Sequence, residues 1–151
     1  MKKLLLSLTL FCFGTLVAQA QEAGLIRELF NMEKKALVKE FLDLSDAEAA
    51  KFWPLYEEFE AARREIADRR ISNLKNYAAQ YADLTDTQAD ALVKSSLKNM
   101  KASDKLKAKY YKKIKKALSA KKATSWLQLE EYIQTALRMD LLDNIPFVGE
   151  S

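Results

Sequence analysis

Asp83-Leu84-Thr85-Asp86-Thr87-Gln88-Ala89 restates, forty residues further on, the stretch Asp43-Leu44-Ser45-Asp46-Ala47-Glu48-Ala49. Each copy places a hydroxyl residue, Ser45 or Thr85, three positions before Glu48 or Gln88. At that spacing the hydroxyl accepts from the backbone of the third helical residue, whose side chain reaches back to the cap residue's own N–H. Both copies therefore predict a helix start, with Leu44 and Leu84 just outside the cap. Any helix can begin this way, so the repeat by itself speaks to fold rather than to function.

The sequence around the two copies carries few interruptions. Between Leu25 and Val148 there is no glycine, and the only prolines are Pro54 and Pro146. No Asn-Gly or Asp-Gly turn occurs, and no run alternates apolar and polar at period two for long. The chain is predicted to be all-α, with four helices. The first covers about Leu25 to Leu42, with Ile26, Phe30, Leu37, Phe41 and Leu44 on one side. The second runs from Asp46 to about Ala82 on a ridge of Phe52, Tyr56, Phe59, Ile66, Leu74, Tyr77 and Tyr81, and Pro54 is expected to kink or break it. The third runs from Asp86 to about Leu118, with Ala89, Leu92, Val93, Met100, Tyr110, Tyr111, Ile114 and Leu118. The fourth follows Ser119 or Thr124, carries Trp126, Leu127, Leu129, Ile133, Leu137 and Leu141, and stops at Asn144-Ile145-Pro146.

At ~1.5 Å per residue the second and third helices are each roughly 50 Å long. Helices of that length in so short a chain pack lengthwise, so a long antiparallel helical hairpin is expected. One side of its aromatic ridges would be left uncovered, which points to a homodimer.

Export is expected from the N-terminus. Lys2 and Lys3 precede an apolar run from Leu4 to Val17, and Ala18-Gln19-Ala20 offers small residues where a signal peptidase cuts. The apolar run is short of the roughly 20 residues a membrane span needs. Residues 1–20 are read as a cleaved signal peptide and 21–151 as one helical domain. Cys12, the only cysteine, falls inside the leader, and Phe11 before it argues against lipid attachment. Loss of Lys2 and Lys3 lowers the formal charge from +4 to +2.

Catalytic, cofactor and metal sites find little material. There is no histidine, and transition metals prefer imidazole or thiolate. Met32, Met100 and Met139 show no cluster and read as core filling. Nucleophilic catalysis lacks a histidine base, and no Gly-rich phosphate loop occurs. No catalytic, cofactor-binding or metal-binding residue is assigned.

Charge supplies the best functional candidate. From Lys94 to Lys122 there are twelve lysines and one acid, Asp104. Lys94, Lys98, Lys101, Lys105, Lys109, Lys112 and Lys116 step by four and three and form one stripe. It is either a solvated face pairing with acids of the second helix, such as Glu57, Glu60 and Glu65, or a surface that attracts acidic or unfolded polypeptide. Lys101, Lys105, Lys109, Lys112 and Lys116, with Tyr110 and Tyr111 beside them, are the candidate contacts. Nucleic acid is not expected as a partner of an exported protein, and an anionic membrane surface is a rival that the apolar content of the opposite face does not favour. Arg63, Arg70 and Glu130 interrupt apolar ridges. Either their long side chains reach back to water or they form partly buried ion pairs that set register.

Leu84-Thr85-Asp86-Thr87-Gln88 also matches the Leu-Thr-x-x-Gln motif of the Spy/CpxP family of secreted helical proteins, and Leu44-Ser45-Asp46-Ala47-Glu48 departs from it conservatively. The resemblance extends over roughly Leu25 to Leu118, whereas Trp126–Val148 differs from the named chaperones. It implies a periplasmic location in a Gram-negative-type cell, a cradle-like homodimer and ATP-independent chaperoning of unfolded or stressed envelope proteins. Some members of the family sense envelope stress or metals, and the lack of histidine fits the metal-sensing branch poorly. The alternative is a signalling or structural accessory that binds one envelope partner.

Overall fold

A computed structural model describes residues 30–142. The leader over 1–20, the opening of the first helix at Leu25 with Ile26, and the stop at Asn144-Ile145-Pro146 lie outside the described residues. The chain divides into two compact units between Asp43 and Leu44.

In the first unit, residues 30–42 form helix α1. Lys34, Val38 and Leu42 are its buried stripe, while Leu37 and Phe41 are exposed. The apolar ridge expected on this helix is thus about a quarter turn from the face that is buried. Lys34 is 3 % exposed, so the buried face includes a whole lysine and is not the one that reads as apolar. The helix ends at Asp43, whose φ of 43° lies in the left-handed region, where Asp is among the few non-glycine residues tolerated.

The second unit begins with the first capping box. Ser45 caps helix α2, Asp46–Gln80. The Ser45 N–H and hydroxyl both donate to Glu48 Oε2 at 3.0 Å, and the Glu48 N–H donates back to Ser45 Oγ at 3.4 Å. A short 3₁₀ turn, Tyr81–Asp83, follows α2. Thr85 then caps α3, Asp86–Ala117, through the same exchange with Gln88. Helix α4, Ala120–Leu142, starts from Ser119, whose Oγ accepts from the Lys122 N–H at 3.1 Å. Of the two expected starts for α4, Ser119 is the one used. Among the described residues there is no strand.

Pro54 lies inside α2, and the helix continues through it; the break expected there is absent. Its ring and the preceding turn at Ala50, whose carbonyl loses its donor, are at exposed positions. On the opposite side Phe52, Trp53 and Tyr56 make three mutual ring contacts with centroids 5.1–5.7 Å apart, which ties together the two turns that Pro54 weakens.

Helix α3 packs against both α2 and α4. Contacting positions run in opposite order along α2 and α3: Glu58 meets Tyr110 and Lys113, Arg69 meets Asn99, and Asn73 meets the Leu92 carbonyl. Phe59 is the junction of the three helices. Its ring stands edge-on to Tyr110 at 5.5 Å and to Trp126 at 5.0 Å. Phe52, Tyr56, Ile66, Ile114, Ala123, Leu129 and Ile133 complete the apolar core around it. Burying each large side chain contributes roughly 1.5–3 kcal/mol, and each aromatic pair about 0.5–1.5 kcal/mol more.

Toward the 3₁₀ turn the core thins. There α2 and α3 are joined by the polar contacts of Arg69 and Asn73, while Leu74 and Tyr77 are only half-buried. Val93, Leu97 and Met100 on α3 and Met139 on α4 are exposed, as is Met32 on α1. The methionines expected as core filling are therefore surface residues.

Two of the three interrupting residues, Arg63 and Glu130, are buried or nearly so. Arg63 forks onto Glu60 on its own helix, Nε and Nη2 donating at 3.0–3.1 Å. Burial disfavours the Arg63 guanidinium, but the bonds and charge of Glu60, with Glu130 and Tyr56 beyond, outweigh it and hold its pKa above the ordinary value. Burial first, then the charges of Glu60 and Glu130, raises the Tyr56 hydroxyl's pKa. Glu130 is buried and accepts from Gln134 Nε2 at 3.1 Å. A partly buried ion pair is present within α2, and the charge of Glu130 on α4 also favours the Arg63 guanidinium.

Candidate functional site

The lysine stripe lies on one face of α3 because steps of three and four residues return to the same side of a helix. Lys94, Lys98, Lys101, Lys105, Lys109, Lys112 and Lys116 are all exposed. From Lys98 to Lys116 the row is roughly 27 Å long at 1.5 Å per residue. Lys94 pairs with Asp90 one turn earlier at 2.5 Å. Among the described residues, the other six make no ion pair.

The lysines that do bind other helices are off the stripe. Lys107 reaches Glu131 of α4 at 2.5 Å and Asp104 at 3.0 Å. Lys113 reaches Glu58 of α2 at 2.7 Å. Burial opposes the charge on Lys107, yet its bonds to Glu131 and Asp104 prevail and raise its pKa. The bond to Glu58 raises Lys113, and the same bond lowers the Glu58 carboxyl. These two lysines were not singled out from sequence, although their departure from the stripe's phase is visible there.

The two tyrosines expected beside the stripe separate. Tyr110 is 4 % exposed, packs on Phe59, and donates its hydroxyl to Glu58 Oε2 at 3.3 Å. It belongs to the core, because it lies on the side of α3 that faces α2. Lys109 and Lys113 place their ammonium groups 5.5 and 4.8 Å from its ring centroid, within cation–π range. Tyr111 is half-buried. The cap residues Ser45 and Thr85 are exposed and Leu44, Glu48, Leu84 and Gln88 half-buried, all at helix starts in the second unit.

The face of α3 next to the stripe carries Val93, 57 % exposed, Leu97, 58 % exposed, and Met100. A row of cations, six of them without an ion-pair partner among the described residues, therefore runs beside apolar side chains open to solvent, an arrangement suited to amphipathic polymers of negative charge. Among the described residues no cluster of metal-ligating side chains occurs, and no helix is long and apolar enough to cross a membrane. Comparison of the chain with protein-family models, curated proteins and solved structures gave no match.

Proposed function

We propose that this protein is an exported, ATP-independent chaperone of the periplasm that captures unfolded or acidic segments of envelope proteins on the lysine face of α3. The observation that carries this reading is the row Lys98, Lys101, Lys105, Lys109, Lys112 and Lys116, exposed and unpaired with acids among the described residues. The exposed Val93, Leu97 and Met100 beside it add apolar contact for unfolded chain. Tyr110, held in the core, has no part in this surface, and Tyr111 borders it. Summed charge steers encounter over a distance, and apolar contact then holds what arrives. In this reading α2 and α3 form an antiparallel hairpin, and two copies make a cradle-like dimer. The Leu-Thr-x-x-Gln resemblance supports it independently.

The test is light scattering of several unfolding client proteins, without nucleotide, at substoichiometric and equimolar protein. Aggregation suppressed across clients is the expected result. Failure with every client, together with tight binding to one envelope protein, would establish the accessory role instead.

A further inference from the structure

Away from the lysine face, Arg70 of α2 and Arg138 of α4 line one groove of about 100 Å³ beside α3, together with Met100, Ser103 and Thr135. Met100 and Ser103 lie on a different side of α3 from Lys101 and Lys105, because successive helical positions turn by about 100°. The groove's other cation, Lys107, is already held by Asp104 and Glu131. Among the described residues, neither Arg70 nor Arg138 has an acidic partner. Every influence on Arg70 is unfavourable to its charge: burial first, then the positive charges of Arg138 and Arg63. Two guanidiniums thus border one small space without an acid of their own, since the two carboxylates in the same lining, Asp104 and Glu131, are engaged by Lys107.

We infer that this groove binds a phosphate-type oxyanion, free or carried on a lipid headgroup. Guanidinium forks match the oxygens of phosphate in pairs, and the Ser103 and Thr135 hydroxyls supply further donors. A groove of about 100 Å³ has room for several waters and so for one tetrahedral oxyanion. Met100 at the rim leads on to Leu97 and Val93, three and seven residues back and also exposed, so an apolar chain attached to the phosphate has a strip to lie on. The site uses none of the lysines of the stripe but shares Met100, Leu97 and Val93 with the proposed client surface, so its failure and that of the chaperone reading are told apart at Arg70 and Arg138.

The test uses the full chain, with inorganic phosphate titrated by calorimetry at constant ionic strength. Saturable binding is expected, weakened about tenfold or more by Arg70→Gln and by Arg138→Gln, and left unchanged by the pair Lys101→Gln and Lys105→Gln. Without phosphate, Arg70→Gln melts no lower than the parent, because it removes a cation without a counter-charge. Arg70→Lys keeps the charge but not the fork, and weakens binding while the fold is retained. In the second arm, vesicles of phosphatidylglycerol and of phosphatidylcholine are sedimented with the protein. Arginine-dependent binding to the anionic vesicles identifies a headgroup as the source of the oxyanion, and phosphate binding without it identifies free phosphate. Absence of saturable binding in both arms overturns the inference. So does binding that survives Arg70→Gln and Arg138→Gln, or that falls equally with the two lysine substitutions.

Discussion

Glu48 and Gln88 occupy equivalent places in two capping boxes, one as a carboxylate and the other as a neutral amide. The difference has a pH signature. Bonds from the Ser45 backbone and then its hydroxyl lower the Glu48 carboxyl below its ordinary value, so the folded state favours the ionised form. Its contribution is complete above the unfolded carboxyl pKa, about 4.3, and is lost as pH falls through the lower folded value. Glu58, lowered by Lys113, acts in the same direction. Thermal unfolding followed from pH 6 to pH 3 should show stability falling in the acid range. Glu48→Gln should reduce that fall and lower neutral-pH stability slightly, because the amide keeps the capping bonds, as Gln88 does, but not the charge. Ser45→Ala and Thr85→Ala should each cost about 1 kcal/mol in urea unfolding at neutral pH.

At the scale of elements, α3 carries two populations of lysine with opposite expectations. Changing Lys101, Lys105, Lys109, Lys112 and Lys116 to Gln should leave helicity and melting temperature close to the parent and slow client capture, measured by stopped-flow fluorescence of a labelled client. Added salt should slow capture by the unmodified protein as well, since exposed charges are screened beyond about 8–10 Å at physiological ionic strength. An early melt in the five-lysine variant would reassign the stripe to structure. Lys107→Gln and Lys113→Gln should behave the other way, each lowering the melting temperature slightly with capture little changed. In α2, Pro54→Ala restores a missing donor at an exposed position and should stabilise the protein by about 1–3 kcal/mol, read as a rise in the denaturant midpoint.

In the whole molecule, Phe59 connects α2, α3 and α4 through its contacts with Tyr110 and Trp126. Phe59→Ala should cost about 3–5 kcal/mol and loosen α4 together with the α2–α3 packing, seen as lost near-ultraviolet dichroism from Trp126. The far parts of α2 and α3 lack such a junction, and the exposed Val93 and Leu97 belong to them. Sedimentation at tens of micromolar should give a dimer if those faces meet in a second copy, and a monomer would remove the cradle. Helix class and both box-capped helix starts were legible in the sequence, since the capping bonds of Ser45 and Thr85 close within three residues and no glycine interrupts α2 or α3. The choice between Ser119 and Thr124 was not, because both hydroxyl residues offer local caps. The stripe's exposure was legible as a phase, whereas the burial of Tyr110 was not. It follows Lys109 directly, and although its phase on α3 is off the stripe, only the fold shows Phe59 packed against that side. The repeated heptads show the same division most directly. Their caps are alike, yet Asp43 leaves α1 through a left-handed conformation and Asp83 closes a 3₁₀ turn after α2. Sequence alone determined where these helices begin, because a cap is satisfied by its immediate neighbours. Tertiary structure decided which faces they bury, which lysines find acids and how the chain enters each cap, because those outcomes depend on groups brought close only by packing.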